Sequence, residues 1–268
     1  MRTNQTLGLA LAFTIAGTAA AQNTLRLTAV IRDFRQDHPD MEFDLFTEVI
    51  PNLQVVQEDA VLSTLGPDGD PVFNGAGKTF FSTAENFDQW YDTVPGVNIE
   101  IRKTLTFTET FAGSGVYAFS DNFPAVPGTT FPPASGNFFP INNEGFGNEG
   151  NANNQHFTME LRTEFTYQGG EFFNYTGDDD LWVFINGQRV IDLGGVHQAL
   201  DASVNLDDVA TELGLEIGET YSFDLFYAER NTVASNFNAE TSIVLIPSPG
   251  GLGVLGGLAL LTGVRRRR

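Results

Sequence analysis

The sequence predicts an all-β domain with long loops and little helix, and three observations carry that prediction. Helical periodicity is scarce, whereas six segments rich in Thr, Val, Ile and Phe read as strands. The chain holds 24 Phe and 28 Gly, a mixture that suits short strands, tight turns and an aromatic filling. Asn186-Gly187, set between two β-rich runs, is the strongest local signal for a two-residue hairpin, because both turn positions need positive φ.

In chain order the predicted strands cover residues 24–34, 98–110, 155–167, 181–193 (folded back at Asn186-Gly187), 220–227 and 240–246. One helix is predicted near 82–91, with Ser82 or Thr83 as cap and Glu85 in the first turn. Residues 120–154 are rich in Gly, Pro, Asn and Phe and show little periodicity. They read as a long loop covering the sheet, although loops on a rigid scaffold also bind ligands.

The two ends differ from the middle. Arg2, an apolar run from 7 to 16 and the small residues Ala19-Ala20-Ala21 read as a secretory signal peptide over 1–21. Residues 247–268 begin with Pro247-Ser248-Pro249, continue uncharged from 250 to 264 and close with Arg265 to Arg268. Fifteen helical residues reach about 22 Å, short of a hydrocarbon core of about 30 Å, so this end reads as a transient membrane tag. Between them lies one predicted domain, 22–246.

Charge and cysteine content narrow the chemistry. The chain has 14 basic and 34 acidic residues, and without its ends the domain stands near −25. Such a field repels nucleic acid and attracts cations. The absence of cysteine excludes disulfides and thiolate metal sites, leaving core burial and hard cations as sources of stability. Gly177-Asp178-Asp179-Asp180 is the sharpest local feature: three carboxylates enter an apolar strand, and like charges so close are costly without a cation or hydrogen-bond donors. Hard oxygen ligands select Ca2+ or Mg2+; the plainer alternative is a polar turn in which one Asp caps backbone donors.

The run from Phe172 through Thr176-Gly177-Asp178-Asp179-Asp180-Leu181-Trp182-Val183-Phe184-Ile185-Asn186-Gly187 to Val190-Ile191-Asp192-Leu193-Gly194-Gly195-Val196-His197 resembles the fibro-slime domain. So do Ile31-Arg32-Asp33-Phe34, His38-Pro39-Asp40, Trp90-Tyr91, Gly145-Phe146-Gly147, Phe226-Tyr227-Ala228-Glu229-Arg230 and Ser235-Asn236-Phe237, together covering about 27 to 245. The resemblance implies a sandwich similar to the protective-antigen type, whose lectin members bind Ca2+ through two adjacent aspartates joined by a cis peptide and a later asparagine. Counting back from the Asn186-Gly187 turn puts that pair at Asp178 and Asp179, with Asn236, or else Asn231, as the later residue. Asp180, Asp192 and His197 would then contact ligand or support the ligands, a structural role being the plainer reading of His197. Glu229-Arg230 reads as an ion pair. Asp37, Asp40, Asp44, Asp68 and Asp70 read as a solvated acidic loop, with a second cation site as the sharper option. The tail resembles the PEP-CTERM sorting signal, with Ser248 where the name-giving motif has Glu, and implies export machinery, an exosortase-type processing enzyme and a bacterial source. The expected function is an exported surface or matrix module, not an enzyme, that binds an extracellular glycan or matrix component with Ca2+. A structural matrix protein with a stabilising Ca2+ is the alternative, and a glycoside hydrolase using paired carboxylates a more distant one.

Overall fold

A computed structural model describes residues 22–42, 56–75, 80–121, 137–232 and 234–247. The strands are β1 (Thr24–Phe34), β2 (Asn98–Glu109), β3 (Tyr117–Ser120), β4 (Phe157–Thr166), β5 (Phe172–Gly177), β6 (Leu181–Ile185), β7 (Gln188–Leu193), β8 (Leu200–Asn205), β9 (Thr220–Glu229), β10 (Phe237–Thr241) and β11 (Ile246–Pro247), with helices α1 (Ala84–Phe87) and α2 (Leu206–Leu213). All ladders are antiparallel, in the order β7-β6-β9-β4-β1-β2-β3-β10-β5-β8, with β11 beside β4. The two ends of the ladder, β7 and β8, come back beside each other, so the sheet doubles over as an antiparallel β-sandwich around one core.

Alternation decides what enters that core. Leu27, Ala29 and Ile31 of β1, Phe173 and Tyr175 of β5, Phe223, Leu225 and Tyr227 of β9, and Phe237 and Ala239 of β10 fill it from their inward faces. A second apolar cluster lies outside: Trp182 and Phe184 of β6 and Phe226 and Ala228 of β9 pack against Phe34, Met41, Phe81, Phe87 and Trp90. Strand β6 is therefore buried on both faces, which is why Leu181-Trp182-Val183-Phe184-Ile185 is apolar without alternation. The segment that follows β1 thus forms an aromatic cap over β6 and β9.

The predicted elements largely form. The hairpin turn has φ of 51° at Asn186 and 71° at Gly187, both positive as that turn demands. Strand 240–246 instead breaks. After Thr241 the hydroxyl of that residue accepts from Ile243 N (3.0 Å), and the chain crosses to pair Ile246 with Glu164, carrying sheet pairing to Pro247, one residue past the expected boundary. The helix at 82–91 shrinks to α1: Thr83 caps it, but the Asn98 side-chain amide takes the carbonyls of Gln89 and Asp92 and holds the chain in turns beyond it. Helix α2, not foreseen, has Asp207 and Asp208 in its first turn and Gly214 in the left-handed conformation at its end.

Of the 120–154 segment, residues 137–154 are described and do cover the core edge, with Phe138 and Ile141 buried in it. Asp33 of β1 pins this loop, accepting from the Asn154 side chain (2.8 Å) and from Phe146 N. Gly145 has φ of +60°, and a Cβ there would stand 2.1 Å from the Asp33 carboxylate, so only glycine fits. The expected signal peptide over 1–21 and tail residues 248–268 lie outside the described residues; among those described, no helix is long and apolar enough to cross a membrane.

Candidate functional site

Asp178, Asp179 and Asp180 bridge the end of β5 to the start of β6, and their carboxylates serve three different neighbours. Asp178 accepts from Asn236 twice, from its backbone N at 2.6 Å and from its side-chain amide. Asp180 turns inward, taking Gly195 N (2.5 Å) on one oxygen and the Arg230 guanidinium on the other, at 2.7 and 2.6 Å. Asp179 lies between them. One of its oxygens accepts from His197 N (3.1 Å); the other, Oδ2, is buried and meets no donor. The cis peptide joins Asp179 to Asp180, one bond later than expected. Counting from the hairpin turn fixes how far along the strand a residue lies but not which peptide unit is inverted.

A cavity of about 320 Å³ opens over this bridge, lined among others by Asp178, Asp179, His197, Gln198, Asn231 and Asn236. The fold therefore brings together Asp178, Asp179 and Asn236, with Asn231 on the same wall at φ of 70°. His197 contributes its backbone; both ring nitrogens face carbonyls, of Gln198 (2.8 Å) and Leu193 (3.1 Å), so the ring is a structural brace. Asp180 stands behind the cavity wall. Asp192 does not reach it: across the β6–β7 ladder it accepts from the Trp182 indole (3.0 Å) and from Asp59 N (2.7 Å), bracing the cap.

The electrostatics are lopsided. Burial pushes the Asp178 carboxyl up to about 7, against the two Asn236 bonds that favour its charge. Burial, then the neighbouring Asp180 charge, holds Asp179 well above the carboxylate range despite Arg230. Glu229, buried close by and bonded to the Tyr227 hydroxyl (2.7 Å), is raised for the same reason, with Asp178 and Asp179 adding to it. Of these four buried carboxylates, Asp180 is paired to the Arg230 guanidinium, and Arg230 also lowers the pKa of Asp179. Among the described residues, no three His, Asp or Glu side chains converge as a ready cluster for a metal. A cation here would take Asp179 Oδ2 and an oxygen of Asp178, and amide or carbonyl oxygens would complete the shell, a donor set that suits Ca2+.

Arg230 is the residue the sequence hid. Expected to pair with Glu229, it pairs with Asp180, because neighbours on a strand point to opposite faces. It is fully buried, donates to the carbonyls of Asp40 (3.2 Å) and Phe80 (2.5 Å), and lies between the rings of Phe81 and Trp90 at 4.9 and 4.8 Å. Asp40 is no solvated loop residue either: fully buried, it accepts from the Trp90 indole (3.1 Å) and Ser82 N (2.7 Å). Asp70 is bound to Arg162, and Asp44 lies outside the described residues.

Residues 113–251 match the PA14 domain. Among similar curated proteins, three from Dictyostelium discoideum, psiR, psiQ and psiC, are 40%, 35% and 34% identical to the chain over 83%, 84% and 84% of it. The match spans only 22%, 22% and 42% of their own lengths. Solved structures described as the PA14 domain of the MpAFP antifreeze protein and the PA14 sugar-binding domain from an RTX adhesin align at 16% and 17% identity. They cover 37% and 35% of this chain and 47% and 52% of theirs, each with a TM-score of 0.25. The relatives correct one expectation: the bacterial source implied by the tail is overturned by matches to Dictyostelium discoideum proteins.

Proposed function

Since the chain belongs to the PA14 domain family, we propose that it is an extracellular binding module whose cavity over Asp178 and Asp179 holds Ca2+ and, through it, a glycan. The observation that carries this reading is Asp179 Oδ2, a buried carboxylate oxygen without a donor on the wall of a cavity. Such a group costs about 1–3 kcal/mol or more unless something positive meets it. Asp178 and Asn236 on the same wall add the oxygen chemistry a hard cation takes. The quoted motifs support the finer placement as a fibro-slime domain. At this site Asp180 and Glu229 are committed to Arg230 and Tyr227, which favours a binder over a hydrolase that would need them as acid and base. A glycan array, run in Ca2+ and in chelator, tests the proposal. Binding that requires Ca2+ and vanishes in Asp178→Ala/Asp179→Ala supports it; sugar binding unchanged by chelator, or none at all, refutes it.

A further inference from the structure

The sandwich has two unlike ends. Strand β4 runs antiparallel to β1 with Asp33 opposite Phe157, and Phe157 lies opposite Glu229 at the end of β9. Asp178–Asp180, which lead into β6 beside the end of β9, therefore sit at this end, next to Arg230. Ten residues of β4 place the opposite end about 30 Å away. That far end carries four of the six large apolar side chains exposed among the described residues. Phe111 (65% exposed) tips the β2–β3 turn, and Ile217 (73%) tips the α2–β9 connection over the end of β4. Val244 (57%) and Ile246 (43%) flank the crossing to β11, opposite Glu164. Both apolar flanks of the sequence also attach here. Gln22 is bonded to the carbonyls of Glu109 and Thr110 at the end of β2, and β11 ends at Pro247 beside Thr163.

We propose that this end of the sandwich rests on a lipid surface, with Phe111, Ile217, Val244 and Ile246 as the contact and the Asp178–Asp179 cavity held about 30 Å above it. Covalent geometry does much of the work. The uncharged run 250–264 begins three residues after Pro247, and three extended residues reach about 10 Å. If that run enters a bilayer, the far end cannot stand off from it. Exposed Glu164, Glu216 and Glu219 ring the patch, so neutral lipid is favoured over anionic lipid. The inference does not depend on Ca2+ or sugar.

The chain has no cysteine, so single labels can be placed cleanly in the full chain. Phe111→Cys, Ile217→Cys and, beside the cavity, Gln198→Cys each carry an environment-sensitive dye, with phosphatidylcholine vesicles as the probe. The expected result is a blue shift at 111 and 217 and none at 198. Phe111→Ser/Ile217→Ser, unlabelled, should lower vesicle partitioning about tenfold while leaving the melting curve unchanged. Absence of vesicle binding, binding without a shift at 111 and 217, or an equal shift at 198 would overturn the proposal. So would a shift that needs no vesicles and grows with protein concentration, which would assign the face to a second copy of the chain.

Discussion

Asp179→Asn separates a cation site from a polar turn, because the two readings predict different signs. In chelator the wild-type domain carries a buried, unpartnered carboxylate oxygen. Asparagine keeps an acceptor for His197 N and removes the charge, so the variant should be more stable by about 1–3 kcal/mol. For a domain of this size one kcal/mol moves Tm by about 2–4 °C, a rise of about 2–12 °C. In Ca2+ the order reverses. At a free concentration 1,000 times Kd, binding stabilises wild type by about 4.1 kcal/mol, raising its Tm by about 8–16 °C, while the variant gains almost nothing. Differential scanning calorimetry in chelator and in Ca2+, on both proteins, gives the four numbers. The reasoning fails if Asp179→Asn melts lower than wild type in chelator, or if both proteins respond equally to Ca2+.

Arg230→Met should cost about 3–5 kcal/mol in urea unfolding, since it leaves Asp180 buried without its partner, and Asp180→Asn in the same chain should recover part of the loss. Asp33 is buried and its folded pKa is raised from 3.8 to about 6, by burial first, against its bonds from Asn154 and Phe146. A raised carboxyl contributes stability below its unfolded pKa and loses it as pH climbs through the folded one. Wild type should thus lose about 2 kcal/mol relative to Asp33→Asn between pH 4 and pH 6, seen as a slope in their difference curve from chemical denaturation. Phe138→Ala should cost about 3–5 kcal/mol and expose residues 137–154 to limited proteolysis, because that ring is their tie to the core.

The fold was legible where one physical signal dominated. The Asn186-Gly187 turn, the doubly buried run 181–185 and the long strands β1, β2 and β4 emerged from turn chemistry and residue type alone. Helix α2 escaped although Leu206, Val209, Ala210 and Leu213 have helical spacing, because eight residues between two strands blur into their surroundings. At the site, the three residues the sequence offered as cation ligands, Asp178, Asp179 and Asn236, line one cavity. It misplaced Asp192, whose partner, the Trp182 indole, lies across a ladder, and it missed Arg230, whose contacts with Asp40, Phe80 and Asp180 come from distant parts of the chain. Local pattern reports what a residue is, whereas a contact across about 190 residues, as from the Arg230 guanidinium to the Asp40 carbonyl, is set only by the closed sheet.

The place of β1 in the sheet has a kinetic consequence. It is the first strand off the ribosome, yet it is flanked by β2 and β4, with Val30 opposite Glu160 about 130 residues later. Strand β6 waits for β9 and β5 waits for β10, so no layer closes before about residue 241 has been made. Each pairing closes a long loop before its contacts stabilise it, which places the domain among slow folders, in milliseconds to seconds. Until then Trp90, Phe87 and Trp182 have no finished surface to cover, and the nascent chain presents them to whatever escorts it.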